Sequence, residues 1–307
     1  MKIGFLFPGQ GAQSVGMGKD LYEKYDEVKN VYSSLSSSTG IDIANLTFNS
    51  SEEELSQTKN TQIAILAMSL GILKILEEKN IKADYATGLS LGEYAALTYA
   101  KTFTLEDAGR IVKKRGEYMQ NLLPKGDWAM AAVIGMEDEK VENVCKKVSK
   151  GFAVPANYNC PGQVAVSGDK EGILEMTEIA KQAGAKRVIS LKTSGPFHTE
   201  KLEEASKALR EELDCVEVKT PKCNVIKNID AKPYTESDDI KDILAKHVIN
   251  PVRFSESVKY MLDNGVDTFI EIGPGKVLTS FVKKINKDVN CININYVPSL
   301  ENAINEL

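Results

Sequence analysis

The first apolar run, Lys2–Phe7 (KIGFLF), stops at Pro8-Gly9, the pattern of a buried strand running into a turn. Helical periodicity follows over Met17–Leu35 and again over Thr61–Glu78. Asp84–Leu89 reads as the next strand, and an apolar, alanine-rich helix runs from Ser90 to about Ala100. Thr104, with Asp107 three residues on, predicts an N-cap opening a helix that reaches Leu123. Pro124-Lys125-Gly126 then breaks the rhythm. Strand patterns over Trp128–Met136, Phe152–Asn157, Gln163–Ser167 and Arg187–Lys192 alternate with helical ones over Glu139–Ser149 and Lys170–Ala183. That is βαββαβ, the order of a ferredoxin-like unit. Beyond Thr199 the first rhythm returns. Helices are expected over Lys201–Leu213, Asp239–Val248 and Ser255–Asn264, and strands over Asn224–Asn228 and Asp267–Ile272. Gly273-Pro274-Gly275 is expected to turn into a last long helix. The fold class is α/β: a large domain with a central parallel sheet, formed by residues 1–125 and 196–307, interrupted by a ferredoxin-like insert at 126–195.

Composition narrows the function. The 307 residues are 42% hydrophobic and 26% charged, which is the make-up of an ordinary globular protein. A net charge of -5 disfavours a nucleic-acid partner, because phosphates demand basic surface. Cys145, Cys160, Cys215, Cys223 and Cys291 show no C-x-x-C spacing, so neither a metal site nor a redox motif is expected, and a reducing cytoplasm fits. The N-terminal apolar run is too short for a leader. The longest apolar stretch, Ile63–Leu76, is interrupted by Ser69 and Lys74 and falls short of a bilayer. It predicts a buried helix. The expectation is a cytoplasmic, free-standing monomer with no membrane or nucleic-acid partner.

The chemistry centres on Gly88-Leu89-Ser90-Leu91-Gly92, a G-x-S-x-G between a strand and a helix. Glycines at both flanks permit the sharp turn of a nucleophile elbow, and the helix start aims free N–H groups at the site. This makes the large domain α/β-hydrolase-like. The bland alternative is a strand–helix turn in which Ser90 merely caps the helix. Two histidines, His198 and His247, are the only histidine candidates for a base. His198 follows Gly195-Pro196-Phe197 at the junction of the two domains, where a turn can present it into a cleft. His247 reads as a surface or satisfied core residue. Glu93, in the first helical turn, is expected to complement the helix dipole rather than act as a triad acid. Gly9 and Gly11 give G-x-G, but Ser14 occupies the third glycine position, so no dinucleotide cofactor is expected. That loop can still aim N–H groups at an oxyanion.

Together these stretches resemble the malonyl-CoA:acyl-carrier-protein transacylases and, more broadly, the acyltransferase domains of polyketide synthases. The resemblance rests on FPGQGAQ (7–13), NTQIAIL (60–66), GLSLGEYAAL (88–97), KKRGEYMQ (113–120), NYNCPGQVAVSG (157–168), GPFH (195–198), NPVRF (250–254) and EIGPGKVL (271–278). It implies Ser90 as the acyl-carrying nucleophile, His198 as general base and acid, and the N–H groups of Gln10 and Leu91 as the oxyanion hole. It implies that Arg115 binds the malonyl carboxylate through two parallel bonds, a role that suits a planar guanidinium. Read from the residues alone, Lys113-Lys114-Arg115 is a solvated helix face. Gln62, Met119, Asn157 and Asn159 fall on segments that line the family's cleft, and Phe197 is similar to the malonyl-preferring subgroup. The partners implied are malonyl-CoA and acyl-carrier protein, with no cofactor, for fatty-acid biosynthesis. The sequence departs from the family at Leu89, where most members have His, and at His247, where Gln is common. Lys186, Arg187 and Lys192 read as solvated surface, with an acidic carrier protein as the alternative. Two rival functions stay open on the residues alone: a G-x-S-x-G thioesterase, and a non-catalytic lobe that binds acyl carriers.

Overall fold

The computed structural model describes residues 1–193 and 195–307. The chain opens with β1 (Ile3–Phe7), then α1 (Lys19–Lys24), α2 (Asp26–Thr39), α3 (Ile43–Asn49), α4 (Glu52–Leu55) and α5 (Thr58–Glu78). Next come β2 (Tyr85–Gly88), α6 (Gly92–Tyr99) and α7 (Leu105–Asn121). A second group is β3 (Trp128–Ile134), α8 (Asp138–Lys146), β4 (Ala153–Cys160), β5 (Gln163–Asp169), α9 (Lys170–Gln182) and β6 (Arg187–Leu191). A 3-10 turn at Glu200–Leu202 leads into α10 (Glu203–Asp214), β7 (Asn224–Val225), α11 (Ile240–His247) and α12 (Phe254–Asp263). The chain closes with β8 (Thr268–Ile272), α13 (Val277–Ile285), β9 (Asn290–Ile294) and α14 (Val297–Glu306).

The described residues form two sheets. The larger is parallel throughout, in the order β7-β2-β1-β8-β9. β1 lies at its centre with every residue buried, which is why it reads as a continuous apolar run: helices cover both faces. α5 packs against this sheet and its neighbours as a core helix; the window with mean hydropathy 1.2 is 83% buried inside the protein. The smaller sheet is antiparallel, in the order β4-β5-β3-β6, the ferredoxin-like arrangement of a βαββαβ chain. It is stitched to the rest of the fold where Tyr158 N–H donates to Val252 O (2.9 Å) and Val252 N–H donates to Ala156 O (2.8 Å). The large part has the α/β-hydrolase-like architecture, and the carboxyl ends of β1, β2 and β8 open onto one edge.

Several expected elements differ. The helix over Met17–Leu35 is two, because Tyr25 adopts an extended backbone (φ -113°, ψ 121°) between α1 and α2. α3 and α4 lie where no element was expected, each opened by a local cap: Asp42 accepts from the Asn45 N–H, and Ser51 from the Glu54 N–H. The strand over Asn224–Asn228 ends at Val225: the Ile226 N–H still donates to Ala86 O (2.9 Å), but Ile226 also bridges Pro233, and the next N–H, that of Lys227, donates to Lys232 O (2.9 Å). The last long helix is a correction as well. α13 stops at Ile285, β9 adds an edge strand, and α14 follows. Asn290-Cys291-Ile292-Asn293-Ile294 mixes polar and apolar residues, which suits an edge strand that is only partly buried.

Candidate active site

The elbow is built by close backbone approach. A Cβ on Gly92 would stand 2.0 Å from Phe7 O, and one on Gly88 would stand 2.0 Å from the Gly92 carbonyl carbon. β1, β2 and the start of α6 therefore meet at distances that only glycine allows. Between them Ser90 is held at φ 55°, in the left-handed region, which strains a non-glycine residue. Asn228, wholly buried, over-determines that geometry. Its Oδ1 accepts from the Ser90 N–H (2.7 Å), and its Nδ2 donates to Gly88 O (2.7 Å). Sequence reasoning missed Asn228. It stands 138 residues from the serine, and no local pattern marks it.

His198 Nε2 lies 2.8 Å from Ser90 Oγ. On the other side of the ring, Nδ1–H is placed to donate to two carbonyls, His247 O (3.0 Å) and Asn250 O (3.0 Å). Those bonds select the tautomer that leaves Nε2 free to accept the serine proton. His198 is itself at φ 60°, a second left-handed residue at the site. Burial foremost, then the neighbouring His247 ring and the Arg115 charge, hold the His198 imidazole well below its ordinary pKa, while the two carbonyls act the other way. Burial thus favours a neutral His198 ring, and the two carbonyl bonds keep its proton on Nδ1.

Arg115 overturns the solvated reading: it is 1% exposed, on the inner face of α7. Nη2 donates to Ser90 Oγ (3.0 Å), Nη1 donates to Gln62 Oε1 (2.7 Å), and the guanidinium lies over the Tyr94 ring, 5.5 Å from its centroid. Among the described residues no carboxylate stands within ion-pair distance of it, and Nε has no hydrogen-bond partner. Burial lowers its pKa from the usual guanidinium value. Gln62 is oriented from behind, with its Nε2 3.5 Å from Met119 Sδ.

The glycine loop after β1 presses on the elbow, since a Cβ on Gly9 would meet Leu89 O at 2.3 Å. No hydrogen bond among the described residues uses the N–H of Gln10 or of Leu91, and the Gln10 side chain donates to Thr58 Oγ1 (3.1 Å). Phe197 is buried, and its carbonyl accepts from Ser167 Oγ (2.7 Å), which ties the smaller sheet to the residue before His198. Asn159 is buried with Oδ1 unpaired, while Asn157 is half-buried in the strand pairing with Val252. No hydrogen bond joins either asparagine to Ser90, His198 or Arg115 among the described residues. Leu89 packs against the apolar cluster that contains Leu6, Ile226 and Val252.

Glu93 keeps its place in the first turn of α6, where a carboxylate complements the helix dipole, and it also does more. It is buried, accepts from Tyr234 OH (2.7 Å) and the Asn228 N–H (3.4 Å), and faces His247 Nδ1 at 3.1 Å. His247 is buried too, and its ring centroid is 5.0 Å from that of His198. Among the described residues no three His, Cys, Asp or Glu side chains gather as a metal site requires. What the site can do is acyl transfer or hydrolysis through a serine ester, with a fixed positive charge beside the nucleophile.

A family model described as "Acyl transferase domain" matches residues 4–304. A malonyl CoA-acyl carrier protein transacylase of Bacillus subtilis is 42% identical over 308 residues, spanning 100% of this chain and 97% of the relative. A solved malonyl CoA-acyl carrier protein transacylase from Clostridium perfringens superposes with a TM-score of 0.95 at 41% identity, covering 100% of this chain and 97% of that one. A malonyl-transacylase solved with a type II polyketide-synthase acyl-carrier protein superposes with a TM-score of 0.96 at 35% identity, covering 100% of each chain.

Proposed function

The chain belongs to the acyl transferase family, and from that premise we propose that it moves a malonyl group from malonyl-CoA to the phosphopantetheine thiol of acyl-carrier protein. The observation that carries the substrate is Arg115: a buried guanidinium with no carboxylate at ion-pair distance among the described residues, bonded to Ser90 Oγ at 3.0 Å. A buried charge of that kind is costly unless something pairs with it. The free carboxylate of a malonyl thioester supplies the missing partner through two parallel N–H···O bonds.

The chemistry runs through an ester. His198 Nε2 takes the Ser90 proton as Oγ attacks the thioester carbonyl. The N–H groups of Gln10 and Leu91 receive the oxyanion. The tetrahedral centre collapses, the carbon–sulfur bond breaks, and the His198 imidazolium returns its proton to the coenzyme A thiolate. The carrier's thiol then enters, gives its proton to His198, attacks the ester and leaves malonylated as Ser90 regains its proton. The carbonyls of His247 and Asn250 orient the ring and stabilise the imidazolium, which replaces the carboxylate of a Ser-His-Asp triad. Phe197, Met119, Gln62, Asn157 and Asn159 are read as walls of the cleft, between a unit of residues 1–125 with 196–307 and an insert of 126–195. We take the protein to act as a monomer.

Intact mass after brief exposure to malonyl-CoA, beside Ser90→Ala, tests the reading. A malonyl adduct on the wild type alone, discharged by holo acyl-carrier protein, is expected. An adduct that water clears and the carrier does not would make the protein a thioesterase. No adduct would overturn the reading outright.

A further inference from the structure

Behind the nucleophile and the base lies a buried connection that the reaction scheme leaves unused. Glu93, in the first turn of α6, divides its carboxylate between two segments. Oε1 takes Tyr234 OH (2.7 Å) and the Asn228 N–H (3.4 Å); Oε2 faces His247 Nδ1 at 3.1 Å, in direct contact though not aligned as a hydrogen bond. Asn228 in turn holds Ser90 N–H and Gly88 O, both at 2.7 Å. His247 carries one of the two carbonyls that receive His198 Nδ1–H. The ring of contacts closes where His198 Nε2 meets Ser90 Oγ at 2.8 Å.

Resting on the acyl-transfer reading, we propose that Glu93 is a positioning residue: it couples the strained backbone of Ser90, through Asn228, to the carbonyl that aims His198, through His247. Both linked residues sit at positive φ, Ser90 at 55° and His198 at 60°, conformations that relax unless surroundings hold them. Glu93 is in contact with both holders. Its side chain and that of His247 are each 1% exposed, so water does not substitute for either. The carboxylate gives Tyr234 and Asn228 one oxygen and faces His247 with the other; a carboxamide would set an NH2 group in place of one of those oxygens.

The experiment measures malonyl-Ser90 formation by rapid quench, with working sites counted from the adduct plateau. Glu93→Gln and His247→Leu should each lower the rate per counted site by at least about 10-fold, since small displacements of reacting groups are that costly. The half-saturating malonyl-CoA concentration should hold within about twofold, because Arg115 is untouched, and the double variant should be no slower than the slower single one. A purely structural role would reduce the plateau and leave the rate per site alone. Rates within about twofold of wild type, or losses that multiply in the double variant, would overturn the coupling. If Glu93→Gln does not fold, Tyr234→Phe, which removes one donor to Oε1, should slow the same step by about 2–5-fold, and an unchanged rate there overturns the proposal equally. Loss of acyl transfer as such shows differently, as a wild type that forms no adduct.

Discussion

Arg115→Met should separate stability from function. The variant keeps most of the side-chain volume and removes a guanidinium that is 1% exposed, without a carboxylate within ion-pair distance among the described residues. Replacing a buried ion pair with well-packed apolar groups of similar volume is often neutral or stabilising, by about 1–4 kcal/mol, and a lone buried charge has no Coulombic partner to lose. Against that gain, Gln62 Oε1 loses its 2.7 Å donor, and leaving a buried acceptor unpaired costs about 1–3 kcal/mol. Ser90 Oγ loses one partner and keeps His198 at 2.8 Å. The balance runs from about 2 kcal/mol destabilising to about 3 kcal/mol stabilising, so Tm should fall by no more than about 4 °C and can rise by a similar amount. Malonyl transfer should collapse at the same time. Two charge-assisted hydrogen bonds to the substrate carboxylate are worth about 3–6 kcal/mol, or about 10²–10⁴-fold in kcat/KM. Differential scanning calorimetry of the unliganded protein and steady-state transfer to holo carrier protein read the two quantities. A Tm lowered by more than about 4 °C, or a kcat/KM loss under about 10-fold, would refute the picture of an unpaired cation waiting for its carboxylate.

Asn228→Ala leaves the Ser90 N–H and Gly88 O without partners; each costs about 1–3 kcal/mol, so Tm should fall and kcat should suffer more than KM. Because burial holds His198 below the ordinary imidazole pKa of about 6.5, the acid limb of kcat/KM for acylation should have its midpoint below that value; a midpoint at or above it would contradict a neutral resting base. The same depression has a sign in stability: the unfolded chain protonates first as pH falls, so the contribution of His198 is fully present above about 6.5 and declines below it, which pH-dependent urea melts on wild type and His198→Gln can compare. Gly92→Ala places a methyl 2.0 Å from Phe7 O, and soluble expression should drop sharply, with a loss above about 3 kcal/mol where folded protein is recovered. Arg115→Ala should also raise the ratio of hydrolysis to carrier transfer, read by release of free malonate, if the guanidinium holds the ester against water.

Much of this protein was legible in its residues because the relevant physics is local. Continuous apolar runs such as KIGFLF specify parallel strands covered on both faces, and β1 proved wholly buried. G-x-S-x-G between a strand and a helix marks a turn too tight for any Cβ at its flanks, which the approach of Gly92 to Phe7 bears out. The βαββαβ order of the smaller sheet followed from alternation and turn residues alone. Tertiary structure decided what depends on distant partners. Lys113-Lys114-Arg115 looks like solvated surface, and only the packing of α7 against α5 turns Arg115 inward while Lys114 stays at the surface. Glu93 and His247 lie 154 positions apart, by subtraction of their numbers, and nothing near either residue foretells a 3.1 Å approach. β9 and the loss of a strand beyond Val225 depend on which sheet edge is free, a property of the whole sheet rather than of any segment. Asn228 is the plainest case. An asparagine beyond a two-residue strand carries no pattern of its own, and it matters because the chain leaves the sheet there and brings its carboxamide beneath the nucleophile.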